Sequence, residues 1–530
     1  MWLHAEIKTL GDIPRHYART TPDATALSDA TGSTTFAELD ARSNRIANVL
    51  LNFGVLEGAR VAFLGKNTTR YFEVLFGVSK VGAALLPLNW RLAAPELEEI
   101  LRDSTPEVLI ADHEFVSFAV DAAARAGIQV HIIEFDSAQR ESAELDILVR
   151  SASDADPAVE VDPWCTAILM YTSGTTGKPK GAQLSHQGYL YLRLCEHLEP
   201  SFGYAADDLM LTVMPLFHAM AVGLSLQALY NGVPIAVYSM PTPAELIELI
   251  VRDRPTVVPL VPTVIQMLLD DPGAAYADYS SVRLIVYAGA SISLSLLTRA
   301  LKEIACDFLN FYGATETSAG VTFLLPEDHR LDDATRLTSC GRPLPLVDIK
   351  VADPDGSELP HGEVGEFLIR SPSLITAYFN QPETTATTFR DGWYHSGDCG
   401  YRDAEGLFYI VDRLKDMIVT GGSNVYSTEV EQAVLRLDGV STCAVVGLPD
   451  EKWGERVVAV VVPKPGVELS EEGVIAHCRE LIAGYKVPKQ VRFVDSLPLT
   501  ASNKVLKRAL RDEMLKTAIG ALTPSEVHQG

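Results

Sequence analysis

The sequence predicts an α/β protein: a large N-terminal domain of doubly wound, mainly parallel sheets with a small barrel-like or covering β region, then a small α+β C-terminal domain. Three observations carry this. Short apolar runs alternate with stretches of helical apolar spacing through the first two thirds of the chain, the rhythm of parallel strands joined by helices. From Asp348 to Phe408 the pattern changes to short strands and turns, which is more antiparallel. Beyond Asp412-Arg-Leu-Lys-Asp416 a further unit has its own strand and helix signals.

The totals agree. A chain of 530 residues is too long for one core, since domains run to about 100–200 residues. Its 47% hydrophobic and 21% charged content is that of a soluble globular protein. A net charge of −25 argues against a nucleic-acid surface or a polybasic membrane patch, so any site for an anion must concentrate positive charge locally. Cys165, Cys195, Cys306, Cys340, Cys399, Cys443 and Cys478 are scattered and lack a C-x-x-C pair. They read as reduced thiols of a cytoplasmic protein. The first residues carry no charged region followed by an apolar one, so secretion is not expected. Leu209 to Leu246 is apolar, but Pro215, His218, Gln227, Asn231 and Pro234 interrupt it. Strand, loop, helix, turn and strand is expected there, and no transmembrane segment.

In order, helices are expected over Thr35–Leu51, Phe72–Val81 and Pro95–Leu101, and strands at Gly58–Gly65, Ala83–Pro87, Val108–Ala111 and Val130–Ile133. Ser185 is an N-cap candidate for a helix through Tyr189. Strands follow at Leu209–Val213, Pro234–Tyr238, Val257–Val261, Leu284–Tyr287 and Asp307–Asn310. In the last unit Thr428-x-x-Glu431 has the form of a capping box. Strands are expected at Thr442–Val446, Val457–Val462 and Gln490–Val494. Ser470 should cap a helix, and a basic helix should start near Val505.

The chemistry-bearing stretch is Tyr171-Thr-Ser-Gly-Thr-Thr-Gly-Lys-Pro-Lys-Gly181. Gly, hydroxyl and Lys residues after an apolar run can surround a polyphosphate with N–H, O–H and ammonium groups. It is not a Walker A loop, because only Thr175 and Thr176 separate Gly174 from Gly177, and Pro179 follows Lys178. A plain Gly-rich hairpin is the alternative. Phe311-Tyr-Gly-Ala-Thr-Glu316 offers Tyr312 for stacking on a base, Thr315 for a phosphate and Glu316 for Mg²⁺, or is an ordinary strand-to-loop turn. Asp398, after the Gly392 turn, could accept bonds from ribose hydroxyls or from local N–H groups. Lys504 sits in a polar loop before a helix, where a solvated surface lysine is the ordinary reading.

In combination and order these segments resemble the adenylate-forming superfamily of acyl-CoA synthetases, adenylation domains and firefly-type luciferases, over nearly the whole chain. Tyr171–Gly181 is similar to its phosphate loop, Tyr312–Glu316 to its adenine and magnesium motif, and Ser396-Gly-Asp398 to its ribose motif. Tyr409–Lys415 is similar to its hinge, and Pro498–Lys504 to its catalytic-lysine loop. The resemblance implies residues 1–412 as the adenylate-forming domain, 413–416 as a hinge turning at Lys415, and 417–530 as a mobile domain carrying Lys504.

It also implies the roles. Thr172, Ser173, Gly174, Thr175, Thr176, Gly177 and Lys178 would hold the phosphates. Gly289, Ala290, Tyr312, Gly313 and Ala314 would border the adenine. Thr315 would hold the α-phosphate, Glu316 the Mg²⁺, and Asp398 and Arg413 the ribose, while Lys504 would bridge the reacting carboxylate and the α-phosphate. Pro215-Leu-Phe-His218 resembles the segment where an aromatic residue gates the acyl pocket, with a satisfied core histidine as the alternative for His218. Ala219, Met220, Gly223, Ala288, Gly289 and Val321 would line or border that pocket. Gly421, Gly422 and Trp453 would meet coenzyme A, although a buried Trp beside a turn is the other reading of Trp453.

The implied activity is an ATP-dependent carboxylate:CoA ligase for an apolar fatty or aromatic acid. The alternatives are an adenylation enzyme loading a carrier-protein thiol, a luciferase-like oxygenase, or a non-catalytic nucleotide-binding regulator. A homodimer is left open. The chain departs from the family at Asn503, where Gly is usual, at Ser423 and Ser427 beside the post-hinge loop, and at Ser396, where Thr is usual. None of these residues performs chemistry.

Overall fold

The computed structural model describes residues 4–137, 143–172, 179–318, 320–421, 423–450, 452–499 and 505–520, the last with side chains only to residue 515. The chain divides into two compact units, Met1–Ile349 with Ile369–Tyr394, and Lys350–Leu368 with His395–Gly530.

The first unit is doubly wound α/β around two sheets. One has the spatial order His131–Phe135, Val108–Asp112, Arg60–Leu64, Ala84–Leu88, Thr166–Thr172 and Lys180–Ser185. The first five of these strands are parallel and the last is antiparallel. The other runs Arg342–Pro343, Gly320–Leu324, Asp307–Gly313, Leu284–Ala288, Val257–Leu260, Met210–Thr212, Ile235–Val237, Thr25–Asp29 and Gly32–Thr35. Its interior pairs are parallel and its edges antiparallel. Ala84–Leu88 and Leu284–Ala288 are buried at every position, as strands with helices on both faces must be.

Local chemistry fixes the helix ends. Thr35 and Glu38 form a reciprocal capping box at the head of helix Phe36–Asn52. Ser185 accepts the Gly188 N–H at 3.0 Å, as its sequence position suggests. The apolar stretch after Leu209 is the expected strand, loop, helix Ala219–Tyr230, turn and strand. Among the described residues no helix is long and apolar enough to cross a membrane. All seven cysteines are free thiols.

The second unit holds most of strand Trp393–Arg402, which pairs antiparallel with Phe408–Arg413, in the region where antiparallel pairing was expected. It then forms a sheet from Ile418–Thr420, Ser423–Val425, Val440–Asp450, Gly454–Pro463 and Gln490–Phe493. Helices Ser427–Leu435 and Glu471–Leu481 supply Val430, Val434, Val474 and Cys478 to the core on one face. Leu510 and Met514 of helix Lys507–Gly520 pack on the other. Ser470 caps Glu471–Leu481 as expected.

The Thr428–Glu431 capping box is not what forms. The helix starts at Ser427 with no side-chain cap from its N-cap residue. Asp412 takes over that function, accepting both the N–H and the hydroxyl of Ser427. Glu431 is drawn inward, where it accepts the Val445 N–H at 2.8 Å and pairs with Lys507 at 2.8 Å. A buried carboxylate delivered from an earlier strand outcompetes the weaker local hydroxyl cap.

Candidate active site

The site grows from the carboxyl edge of the nine-stranded sheet. Strands Met210–Thr212, Val257–Leu260, Leu284–Ala288 and Asp307–Gly313 are mutually parallel, so their carboxyl ends lie along one edge. Ligands in open α/β sheets bind outside that edge. The segments leaving it carry His218, then Gly289-Ala290, then Ala314-Thr315-Glu316.

Ala288 pairs directly with Phe311, which sets Gly289 and Ala290 beside Tyr312 and Gly313. Gly289 has φ +82°, and a Cβ there would meet only Val261 Cγ1 at 3.7 Å. Glycine takes that backbone without strain, and it leaves an uncrowded, exposed shelf with Ala290 where a flat base could lie. Tyr312 faces Thr322 across the hairpin, and the register slips between Tyr312 and Gly313. The chain then turns through the short 3₁₀ helix Thr315–Thr317. Buried Thr317 clamps this turn: its hydroxyl accepts the Ala314 N–H at 3.0 Å and donates to the Ala314 carbonyl at 2.8 Å. Ser318 follows at φ +52°, a left-handed position that costs a non-glycine residue energy and is typical of a constrained functional turn.

Glu316 is tied down twice. The Ile375 N–H donates to its carbonyl at 2.9 Å, and the Tyr378 hydroxyl donates to its carboxylate Oε1 at 2.7 Å. Burial, reinforced by the Glu316 charge, pushes the Tyr378 phenol well above its usual range, so it stays a donor. The same tyrosine ring carries the Lys180 ammonium 5.1 Å from its centroid, a cation–π contact.

Lys180 pairs with Thr172 at the mouth of the hairpin formed by Thr166–Thr172 and Lys180–Ser185. The segment around Tyr378 also braces that hairpin. The Phe379 N–H donates to Gly181 O at 2.7 Å and the Gln183 N–H to Ala377 O at 3.0 Å. Tyr171 adds a hydroxyl bond to Asp103. One stretch, residues 375–381, therefore holds the base of the Gly-rich loop and the Glu316 carboxylate together. Ser173, Gly174, Thr175, Thr176, Gly177 and Lys178 themselves lie outside the described residues, as do Gly422 and Lys504.

In the segment after Met210–Thr212, His218 precedes helix Ala219–Tyr230 and donates its backbone N–H to Pro215 O at 3.1 Å. Its ring lies against Phe217, centroids 4.6 Å apart. His218, Ala219 and Met220 are half-buried and Gly223 is buried. A Cβ at Gly223 would stand 3.7 Å from both Ser318 O and the Tyr189 ring, so this helix meets the turn of residues 315–318 at Gly223. Ala288 and Val321 are buried in their strands, Val321 completely.

In the second unit Asp398 and Arg413 sit opposite each other on paired strands. Arg413 Nε is 2.6 Å from Asp398 Oδ1, and Asp398 is 3% exposed. Ser396 shapes the turn by donating its hydroxyl to Phe367 O at 2.7 Å and accepting the Asp398 N–H at 3.0 Å. Gly421, at φ +57°, lies under Trp453, and a Cβ there would be 3.0 Å from the indole. Trp453 is 43% exposed, so it is a surface ring and not a buried one. Lys415 lies in the short 3₁₀ turn Leu414–Asp416.

The donor set suits Mg²⁺. Glu316 is a single oriented carboxylate and belongs to no imidazole or thiol cluster among the described residues. Magnesium in nucleotide sites takes one or two carboxylates and completes its shell with phosphate oxygens and water.

Sequence reasoning missed Tyr378 and Thr317 as parts of this candidate site, while Lys180 falls within the Gly-rich stretch it singled out. Thr317 adjoins the Phe311–Glu316 motif and could have been included. Tyr378 lies 62 residues from Glu316 and carries no local signal.

A parallel-sheet edge with an open shelf, a clamped hydroxyl and carboxylate turn, and a braced hairpin is an arrangement suited to a nucleotide-using enzyme. The chain belongs to the AMP-binding enzyme family: the family model matches residues 14–379, and the model of its C-terminal domain matches residues 429–504. Feruloyl-CoA synthase of Amycolatopsis sp is 39% identical over 503 residues, covering 95% of this chain and 98% of that protein. The fatty acid–[acyl-carrier-protein] ligase ScoC of Streptomyces coeruleorubidus is 35% identical over 511 residues, 96% and 97% of the two chains. Among solved structures, ATP-bound MatB from Rhodopseudomonas palustris superposes with TM-score 0.87 at 30% identity, covering 95% of this chain and 99% of that one.

Proposed function

We propose that this protein is an AMP-forming acyl-CoA synthetase, an ATP-dependent carboxylate:CoA ligase acting on an apolar aromatic or fatty acid. The observation that carries the reading is the Lys180–Tyr378–Glu316 bracket, which holds the carboxylate proposed for Mg²⁺ near the base of the hairpin proposed for the phosphates. Similarity to a feruloyl-CoA synthase supports an aromatic acid and CoA as the thiol.

In the first step a carboxylate oxygen attacks the α-phosphorus of ATP, the bond to the β-phosphate oxygen breaks, and pyrophosphate leaves. In the second, a thiolate attacks the acyl carbon and AMP leaves, giving the thioester. Such transfers depend on positioning and charge neutralisation. Thr172 to Lys178 would hold the leaving pyrophosphate, Thr315 the α-phosphate, and Gly289, Ala290 and Tyr312 the adenine. Asp398 would accept the ribose hydroxyls, with Arg413 holding its carboxylate in place. Bound Mg²⁺ at Glu316 supplies positive charge to the phosphates. Lys504 would bridge the carboxylate and the α-phosphate, and residues 413–416 would turn between the steps. His218 would gate the acyl site, and Trp453 and Gly421 would meet CoA.

The competing reading is a ligase for a carrier-protein thiol, favoured by the similarity to ScoC. AMP release over a panel of cinnamic, benzoic and fatty acids, with CoA or a pantetheinylated carrier protein, separates the two. Turnover of an apolar acid with CoA supports the proposal. Turnover with the carrier alone overturns the CoA assignment.

A further inference from the structure

Far along the chain from every residue of the nucleotide site, His4, Glu6 and His16 gather at one spot in the first unit. One potential ligand atom from each lies within 4.8 Å of the other two. His16 Nδ1 is 2.7 Å from Glu6 Oε1, and His4 Nδ1 is 4.0 Å from the same oxygen. We propose that these three side chains form a binding site for a transition-metal ion of the zinc class, distinct from the Mg²⁺ carboxylate at Glu316.

The geometry is close to a coordination sphere, too tight between Glu6 and His16 and too open at His4. Bonds of about 2.0–2.1 Å in tetrahedral arrangement place ligand atoms about 3.3 Å apart. Closing onto an ion requires the Glu6–His16 pair to part slightly and His4 to move inward. Glu6 is exposed and His4 half-buried, so both have freedom to adjust, while His16 is buried on helix Asp12–Thr20 and fixes the base of the site. Two imidazoles and one carboxylate select zinc-like ions over Mg²⁺ or Ca²⁺, which prefer oxygen ligands. Three protein ligands leave a fourth position for water.

The surroundings hold the two rings in place. Their centroids are 4.1 Å apart, and Tyr17 sets its ring edge-on to both, at 6.0 Å from His4 and 4.7 Å from His16. The His4 backbone N–H donates to the Tyr230 hydroxyl at 3.0 Å, and the Tyr17 hydroxyl donates to Tyr230 O at 2.7 Å. Arg193, a cation whose charge reaches His4, is directed to Ile7 O at 2.5 Å and over the Tyr230 ring at 5.5 Å. Among the described residues no other group of His, Cys, Asp and Glu has this compactness. The ion would fasten the segment before helix Asp12–Thr20 to that helix and, through Tyr230, to the end of helix Ala219–Tyr230. This fastening does not depend on the proposed reaction.

The test uses the full-length chain without a polyhistidine tag, stripped with chelator and titrated with Zn²⁺ by calorimetry, with thermal melting in parallel. The expected result is one saturable site per chain and a melting temperature raised by Zn²⁺. His4→Ala and Glu6→Ala should each weaken binding by more than about 10-fold and abolish the Zn²⁺-dependent melting shift. Both variants alter accessible side chains, so folding is retained, and pyrophosphate exchange with saturating Mg²⁺ should be unchanged. Equal Zn²⁺ binding by wild type and by the double variant would assign the metal to other histidines or thiols and overturn the proposal. Absence of saturable binding would reduce the trio to a Glu6–His16 ion pair, with the same effect.

Discussion

Tyr378 ties two motifs that lie far apart in sequence. Its hydroxyl orients Glu316 and its ring carries Lys180. Partners behind a metal-binding carboxylate commonly account for about 10–100-fold in affinity or activity. Tyr378→Phe keeps the ring and removes the bond, so adenylation should fall by about 10-fold at limiting Mg²⁺ and recover in part at high Mg²⁺. An Mg²⁺ titration of pyrophosphate exchange reads this directly, and an unchanged Mg²⁺ dependence would remove Tyr378 from the site. A second residue-scale effect concerns Glu196. Burial raises its carboxyl to about 7. Asn231 donates to Oε2 at 2.8 Å, but Oε1 has no hydrogen-bond partner among the described residues. The folded state therefore binds this proton more tightly than the unfolded chain. Stability is lost as pH rises from the ordinary carboxylate range through about 7. Glu196→Gln should flatten the fall in melting temperature between about pH 5 and 7 and stabilise the alkaline end by at most about 3 kcal/mol. Melting curves across that range check it.

The helix that begins at Ser427 depends on a carboxylate from outside itself. Asp412 accepts the Ser427 N–H and hydroxyl, and Lys507 donates to the Ser427 hydroxyl at 2.6 Å and pairs with Glu431 at 2.8 Å. Losing one such buried bond costs about 1–3 kcal/mol. Ser427→Ala should therefore destabilise by about 1–2 kcal/mol. Asp412→Ala should cost more, because it leaves the N–H without an acceptor and the Lys507–Glu431 pair without a neighbour. Denaturant midpoints would show the order, and equal effects would contradict the assignment of Asp412 as the cap. This element also marks where sequence reading failed. The strands at Arg60–Leu64, Ala84–Leu88 and Leu284–Ala288 were legible because each is a short apolar run set between helical patterns. Gly289 carries no such periodic signal: the family resemblance named it, and only its place after a strand gives it a physical reason. Thr428 and Glu431 had the spacing of a local cap, but a tertiary partner 16 residues before Thr428 replaced it. Local patterns do not register a buried group that arrives from elsewhere in the chain.

At the scale of the whole molecule, the order of motifs identified the family, and long-range contacts added what motifs could not. Asp398 and Arg413 were named separately from the sequence, and strand pairing makes them one unit. The proposed two-step reaction asks the chain to turn at residues 413–416. Lys415→Pro, by stiffening that segment, should slow thioester formation by at least about 10-fold while adenylation changes little. Equal losses in both half-reactions would count against rotation at Lys415. The central claim is that a carboxylic acid is activated on ATP before any thiol enters. Acid-dependent exchange of labelled pyrophosphate into ATP, measured with Mg²⁺ and without CoA, tests it most directly. The account predicts exchange that requires an apolar acid and proceeds without CoA, and exchange absent with every acid, or independent of acid, would contradict it.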